Sequence, residues 1–367
     1  MKLNKIYKIS GLAICVLSLI SMVGCKKTDK SDPVLPSGNM AQVIKSSTAY
    51  WATNVAIERG GIANQITGEG PFTGFVLSNL GWRSIGYPVF AGINQTTGTT
   101  DTLNRVKPEI LGAVAGYMFG LGKLDTASLP NIVNGEITTI NGKILYCSKV
   151  AATLTFNGGI KRIRRAWING HLLNTINITY PNNGIMHELG EIILPPIGTI
   201  AESIDSIVLQ KDTTLTLLKA AIIKASTATG AGSVNLAAIL ASNGPYTLFA
   251  PNNVAFRAYP GAIFNSIAKI NALSGPNLDL LNKTLQFHVI PQRMFTSFWI
   301  DYPLTEVSAT NSFSTLLPNQ KVFLLGNNNL RGNAQQTAIA GGAGGVNVNR
   351  TCTNGVIHKI GAILRPQ

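Results

Sequence analysis

The sequence predicts an α+β protein built as two tandem units, each with helices first and a sheet afterwards. Two stretches recur in the same order at nearly one spacing: residues 354–366 line up with residues 183–195, and residues 244–253 line up with residues 70–79. A fixed internal period of this kind indicates a duplicated structural unit. The chain has 367 residues, of which 45% are apolar, so each unit can close its own core.

The order of elements is clearest in the second unit. Thr199 with Glu202 three residues later forms a capping box and predicts a helix to about residue 209. The remaining predicted elements are helices at 215–225, 235–241 and 279–287, a buried strand at 246–250, a helical turn at 253–259, and strand segments between Asn and Gly turns over 307–364. Helices before a sheet are typical of an α+β fold.

The amino terminus has the layout of an export signal. Three lysines precede an apolar stretch over residues 9–23, which is too short for a comfortable membrane span. Residues 21–25 resemble the bacterial lipobox, in which a small residue precedes an acylated Cys. We therefore expect residues 1–24 to be removed as a lipoprotein signal peptide and Cys25 to carry the lipid. An uncleaved signal anchor with an incidental Cys is the alternative.

The polar residues after Cys25 predict a flexible tether over residues 25–45, followed by folded units at 46–197 and 198–367. A Cys-Lys-Lys start followed by acidic residues resembles the surface lipoproteins of the Bacteroidetes. Residue 26 is Lys, whereas in some other bacteria an Asp there keeps lipoproteins at the inner membrane. We expect a lipid anchor in the cell outer membrane, exposed at the surface, with the periplasmic leaflet as the alternative.

The charge balance does not indicate a nucleic-acid partner. Lys plus Arg number 30 against 16 Asp plus Glu, a net charge of +14 that falls to +11 without the three lysines of the leader. The one local basic run is Lys161, Arg162, Arg164 and Arg165. It predicts a solvated face, with a site for an anionic surface as the alternative. No basic stripe is interleaved with aromatic residues, as binding to single-stranded nucleic acid would require.

The repeated stretches resemble a known family. Residues 247–256 resemble the first signature of the fasciclin domain, residues 354–366 resemble the second, and Phe287-His288 stands where the family has a Tyr-His pair. The first unit keeps the second signature and part of the first, with Met118 where a His would stand. The resemblance implies two tandem fasciclin-like domains, the first divergent, each with a helical amino-terminal part packed on a β-sheet wedge.

The candidate site residues are those that carry this resemblance, in a structural or an interaction role. They are Cys25 for lipidation, Thr247, Phe249, Pro251, Asn253, Phe287, His288, Asn354, Gly355 and His358 in the second unit, and Asn183, Gly184 and His187 in the first. We expect the Thr hydroxyl to satisfy buried backbone groups and the following Asn residues to cap a helix. We expect Asn-Gly to make a turn with positive φ, and the histidines to be hydrogen-bonded framework residues.

No catalytic, cofactor or metal site is expected. The chain lacks a Gly-x-Ser-x-Gly elbow, a phosphate loop and a zinc-protease helix motif. No acidic residue stands close in sequence to His288 or His358, so metal-ligand spacing is absent. Sixteen carboxylates leave a distant pair of the glycosidase kind open. Cys147 and Cys352 have no counterparts in the repeat and are predicted to be free, buried thiols rather than a disulfide.

The resemblance implies an extracytoplasmic adhesion or interaction module that binds an extracellular protein or polysaccharide. The predicted lipid anchor independently places the chain at a membrane surface. The alternative is a glycan-binding accessory lipoprotein of a polysaccharide uptake system. Phe287 replaces the family's Tyr, so any contact that needs that hydroxyl is lost here.

Overall fold

The protein is described by a computed structural model. It covers residues 38–83, 101–130, 132–156, 159–179, 181–209, 213–297, 312–325, 329–332, 337–339 and 348–366. The predicted signal peptide, Cys25 and most of the predicted tether lie outside these residues. Within residues 37–367 the chain forms one compact unit.

The first half combines short helices with one large sheet. Its helices are α1 (Met40–Ser46), α2 (Trp51–Arg59), α3 (Asn79–Arg83), α4 (Asp101–Arg105) and α5 (Pro108–Tyr117). α5 begins with Pro at its first turn, where the missing N–H costs nothing. It buries Leu111, Val114 and Ala115 in the same core as the apolar residues of α1 and α2.

The predicted end of the tether at residue 45 is wrong. Asn39 and Gln42 form a reciprocal capping box at the start of α1, and Met40, Val43 and Ile44 of that helix are buried in the core of the first half. Residues 39–45, predicted to be tether, therefore belong to the folded core. The sequence signal was weak because α1 spans only two turns, too few to show a helical period against a polar background.

The sheet of the first half has seven strands in the described residues, in the order β2-β1-β7-β6-β5-β4-β3. Only β1 and β7 run parallel. The strands are β1 (Phe72–Leu77), β2 (Phe119–Leu121), β3 (Gly135–Thr138), β4 (Ile144–Phe156), β5 (Gly159–Ile168), β6 (His171–Thr179) and β7 (Gly184–Leu189). The predicted basic run lies in β5, as a strand.

The helices of the second half follow the sequence predictions closely. They are α6 (Ile200–Leu209), α7 (Thr216–Ala225), α8 (Leu236–Ala241), α9 (Asn253–Arg257), α10 (Ile267–Ala272) and α11 (Gly275–Phe287). Thr199 and Glu202 cap α6 as predicted, and the last helix starts one turn earlier than predicted. α10 was missed because it is six residues long and Ile270 is its one buried residue.

Two four-stranded sheets complete the second half in the described residues. One has the order β14-β15-β8-β9 and the other β10-β11-β12-β13. The strands are β8 (Tyr246–Pro251), β9 (Val289–Ile290), β10 (Ser312–Ser314), β11 (Lys321–Leu325), β12 (Asn329–Arg331), β13 (Thr337–Ile339), β14 (Arg350–Cys352) and β15 (Gly355–Ile360). Helices and sheets occupy both halves, so the predicted α+β class is confirmed.

Strand β8 separates two cores in the second half. Leu248 and Ala250 face a cluster built with the helices, whereas Phe249 joins a cluster with Val322 and Leu330 from the other sheet. Successive side chains of a strand point to opposite faces, and this alternation supplies both cores from one segment. The clusters of the second half share no buried residue with the cluster of the first half.

The two cysteines of the described residues are free and buried. Cys147 belongs to the core of the first half and Cys352 to the helix-facing core of the second. Burial raises the pKa of the Cys147 thiol to about 12 and that of Cys352 to about 11. Neither sulfur is therefore a reactive thiolate at neutral pH.

Candidate functional site

The central parallel strand pair has the same register in both halves. β1 pairs with β7 so that Phe75 lies opposite His187, and β8 pairs with β15 so that Phe249 lies opposite His358. The Phe75 and His187 ring centroids are 5.6 Å apart, and the Phe249 and His358 centroids are 5.8 Å apart. The repeated sequence stretches therefore occupy equivalent places on the two sheets.

Thr247 bridges two backbone groups of the segment after β9. Its hydroxyl donates to the carbonyl of Gln292 at 2.6 Å and accepts from the Met294 N–H at 2.9 Å. The predicted role of this hydroxyl is thus confirmed. In the first half Thr73 makes the same two bonds, to the Gly122 carbonyl at 2.7 Å and the Leu124 N–H at 2.8 Å.

His358 ties its strand to two other segments. Nδ1 accepts from the Asn349 N–H at 3.1 Å, and Nε2 lies 2.7 Å from the Met294 carbonyl. Because an N–H only donates and a carbonyl only accepts, these partners select a neutral ring protonated at Nε2. His187 repeats the arrangement, with the Asn177 N–H at 3.0 Å and the Leu124 carbonyl at 2.7 Å.

His288 fixes the carboxyl end of α11 to the end of the chain. Nδ1 donates to the Thr284 carbonyl at 2.7 Å, and Nε2 accepts from the Leu364 N–H at 2.9 Å. The His288 carbonyl accepts from the Phe249 N–H. In the first half the Met118 carbonyl accepts from the Phe75 N–H in the same way. Met118 therefore occupies the place of the histidine without its ring hydrogen bonds.

Asn354 and Asn183 join the last strand of each half to its first helix. Asn354 Oδ1 accepts from the Ile200 N–H at 2.8 Å, and its Nδ2 donates to the carbonyls of Leu240 and Ser242. Asn183 Oδ1 accepts from the Met40 N–H, again at 2.8 Å, and its Nδ2 donates to the carbonyls of Ile66 and Gly68. Each amide thus makes three hydrogen bonds to backbone groups, of which two are buried and one is partly buried.

The prediction of positive φ at the Asn-Gly turns is wrong. Neither Asn354-Gly355 nor Asn183-Gly184 is among the described residues with positive φ. The glycines are required for a different reason: a Cβ on Gly355 would collide with the Tyr246 carbonyl oxygen, and one on Gly184 with the Phe72 carbonyl oxygen. Close approach of the parallel neighbour, and not turn geometry, excludes a side chain here.

The remaining candidates also lie inside the fold. Phe249, Pro251 and Phe287 are buried, and Asn253 is partly buried. Asn253 Oδ1 accepts from the Leu217 N–H at the start of α7, whereas the preceding Asn252 caps α9 through the Ala255 N–H. Apart from Cys25, which is not described, every candidate is buried or partly buried. Their geometry favours a structural role over direct contact with a ligand.

Burial keeps the three motif histidines neutral. It lowers the pKa of His288 and of His358 to about 4, because a buried imidazolium loses its hydration, and the hydrogen bonds to the Thr284 and Met294 carbonyls oppose the shift only in part. The pKa of His187 is lowered for the same reason, although the Leu124 carbonyl and the Asp125 carboxylate oppose the shift. None of these rings is poised to exchange a proton at neutral pH.

We expect His358→Ala to lower the free energy of unfolding by about 1 to 3 kcal/mol, because the Met294 carbonyl and the Asn349 N–H lose their buried partner. Thermal unfolding of the soluble chain, followed by circular dichroism, would measure the change. His171→Ala is the matched control. His171 Nδ1 lies 3.0 Å from a Glu191 carboxylate that is half-exposed, and losing this contact should cost less than losing the two buried hydrogen bonds of His358. An unchanged melting temperature in His358→Ala, together with loss of ligand binding, would contradict the structural role.

An open polar cleft, which no sequence pattern predicted, lies between the two halves. Its volume is about 610 Å³, and its polar lining includes Asn134, Glu136 and Tyr146 from the first half and Asn243, Gln292 and Arg293 from the second. No pattern in the sequence links these two groups of residues. Of the motif residues, His288 lies nearest to Arg293 in the sequence, five positions before it.

Arg293 lines this cleft and connects residues of the two halves. Its guanidinium donates to the backbone carbonyls of Cys352, Thr353 and Gly355, and its carbon Cζ lies 4.2 Å from the centroid of the Tyr146 ring. The Arg293 carbonyl accepts from Asn134 Nδ2 at 2.8 Å. Burial lowers the pKa of Arg293, although an arginine remains charged at any physiological pH. One residue of the second half therefore contacts two strands or loops of the first.

Neither a metal-binding cluster nor a membrane-spanning helix occurs in the described residues. No group of three or more His, Cys, Asp or Glu side chains in that part of the chain could hold a metal ion. Among the helices that the structure describes, none combines the length and the apolar character needed to cross a bilayer.

Two comparisons relate this chain to known proteins. The solved structure of a FAS1 domain pair from the insect cell adhesion molecule Fasciclin I is similar at 13% identity and a TM-score of 0.37, over 86% of this chain and 97% of that chain. The family model described as Fasciclin domain matches residues 223–366. That segment contains Thr247, His288, Asn354 and His358, the residues whose contacts define the frame of the second half. Residues 223–366 are thus similar to the fasciclin domain.

Proposed function

We propose that this protein is a lipid-anchored cell-surface interaction protein that binds an extracellular protein or glycan through fasciclin domains. The observation that carries the proposal is the match of residues 223–366 to the fasciclin family, whose domains are associated with adhesion. The buried motif residues and the neutral histidines are what a structural frame requires and offer no nucleophile or acid-base pair. The proposal is therefore binding without turnover.

We further propose that the first half is a second, divergent fasciclin-like domain. The support is the set of equivalent contacts made by Thr73, Asn183 and His187 and by Thr247, Asn354 and His358. The first half departs from the pattern at Met118 and in its single seven-stranded sheet. Two such domains would present a larger surface to a partner than one.

Adhesion can be tested with beads coated with residues 37–367, the compact unit. We expect saturable capture of at least one purified extracellular matrix protein or polysaccharide, or clustering of the coated beads with each other. Beads coated with heat-denatured protein are the control. If folded protein, checked by its thermal transition, captures nothing and does not cluster, the interaction function is wrong.

The anchor is tested at Cys25, which we propose to be the acylated first residue of the mature protein in the outer membrane. Cys25→Ser should move the protein from the detergent phase to the soluble phase, or leave it uncleaved, because the thiol that carries the lipid is gone. Phase partition and the mass of the mature amino terminus measure this. Cys15→Ser, within the apolar stretch, is the matched control and should partition like the parent. Unchanged partition of Cys25→Ser would contradict the lipid anchor.

The second candidate is a glycan-binding accessory lipoprotein of a polysaccharide uptake system. The open polar cleft favours it, because amide and carboxylate side chains line a space large enough for a small ligand. The two functions differ in what is captured: an uptake accessory binds a soluble polysaccharide and leaves matrix proteins and other beads unbound.

A further inference from the structure

We infer that the cleft between the two halves is a binding site for a neutral, hydroxyl-rich ligand, the size of one or two sugar units. This inference rests on the proposed interaction function and names its ligand class. The cleft volume of about 610 Å³ lies within the range of small-molecule sites in proteins. Its walls come from both halves, so the site exists only when the halves are packed together.

The exposed hydrogen-bonding groups in the cleft include both acceptors and donors. Glu136 presents an exposed carboxylate on β3, and the exposed Asn243 and Gln292 side chains each offer an amide oxygen beside their donors. Asn134 Nδ2 is occupied by the Arg293 carbonyl, and its Oδ1 is buried with no partner among the described residues. A ligand that satisfies the exposed part of this lining must both donate and accept hydrogen bonds, as the hydroxyl groups of a sugar do.

The charges of the cleft disfavour an ionic ligand of either sign. The Arg293 guanidinium is 8% exposed and already donates to three backbone carbonyls, so it is not a free anion site. The Glu136 carboxylate repels an anion, and the same guanidinium repels a cation. A neutral polyol meets neither repulsion. The half-buried Tyr146 ring adds an apolar surface against which the carbon face of a sugar can pack.

Titration calorimetry on residues 37–367 tests the site with free glucose, galactose, N-acetylglucosamine and their disaccharides as probes. We expect saturable binding of at least one, weakened about tenfold by Glu136→Gln and by Gln292→Ala, because the first replaces a charged acceptor with a weaker neutral one and the second removes a side-chain hydrogen bond to the ligand. Glu109→Gln is the matched control. Glu109 is an exposed carboxylate in the first turn of α5, and its substitution should leave binding unchanged.

Three results would overturn the inference. They are no binding of any of these sugars, sugar binding that Glu136→Gln and Gln292→Ala leave unchanged, and binding of inorganic phosphate or free lysine that these variants abolish. The bead assay separates this inference from the proposed function. Capture of matrix protein without sugar binding would remove the cleft site alone, whereas sugar binding in the cleft without bead capture or clustering would remove the adhesion function alone.

Discussion

Acidification from about pH 7.5 to about pH 4.5 should lower the free energy of unfolding by about 5 kcal/mol through His288 and His358 alone. Each ring is buried and uses one nitrogen as donor and the other as acceptor. A second proton would place an N–H against the N–H of Leu364 or of Asn349. Both rings therefore bind a second proton less readily in the folded protein than in the unfolded chain.

The direction follows from the two pKa values. In the unfolded chain a histidine takes a proton near pH 6.5, whereas these two in the folded protein take one only near pH 4. Between those values the unfolded state binds more protons, so stability is full above about pH 6.5 and is lost as the pH falls towards 4. His187 adds to the loss with the same sign. Glu191 and Glu202 have lowered pKa values, so their contribution comes mainly below this window.

Denaturant unfolding of residues 37–367 at a series of pH values between these limits measures the slope. The variant His288→Gln has no titrating ring at that position, and its slope in this window should fall by about half if His288 and His358 dominate. A parent protein whose stability stays flat across the window, or a variant with the parent's slope, would show that the rings are not the cause.

The sequence predicted local features well where a short signal decides the structure. The capping box at Thr199 and Glu202, the buried strand at Tyr246 and the bridging hydroxyl of Thr247 all depend on neighbouring residues or on one buried side chain. The repeat in the sequence also predicted equivalent positions for His187 and His358. These features are determined by the types and spacing of a few residues, which the sequence itself contains.

What the sequence did not predict depends on segments distant along the chain. Gly355 is needed because the Tyr246 carbonyl lies against it on a parallel strand, so its neighbour Asn354 gave a misleading turn signal. The cleft is built from residues near 134–146 and near 292–293, which become neighbours only when the halves pack. Arg293 belongs to no motif, yet its guanidinium contacts three backbone carbonyls and the Tyr146 ring, all distant in sequence.

Arg293→Ala should lower the free energy of unfolding by about 4 kcal/mol, since hydrogen bonds from a charged donor contribute roughly 1.5–3 kcal/mol each. Three backbone carbonyls lose their donor, and of these only the Thr353 carbonyl belongs to an exposed residue that can turn to water. The Tyr146 ring loses the cation at 4.2 Å. The buried stem of the side chain also leaves a cavity beneath the cleft.

Arg293→Ala should weaken the contact between the two halves as well as lower the total free energy of unfolding. Because Arg293 packs on Tyr146 and accepts from Asn134, its removal weakens the contact that couples the two cores. We expect denaturant unfolding of the variant to separate into two transitions where the parent shows one, and amide exchange to speed up at residues 144–146 and 352–355.

Arg257→Ala is the matched control. Arg257 is an exposed arginine at the end of α9, and its substitution should change stability by about 0.5 kcal/mol or less. If Arg293→Ala unfolds with the same midpoint and in the same single transition as Arg257→Ala, the guanidinium does not stabilise the contact between the two halves. Arg293→Lys should fall between the two, because a single ammonium keeps the charge but lacks the planar fork that reaches three carbonyls at once.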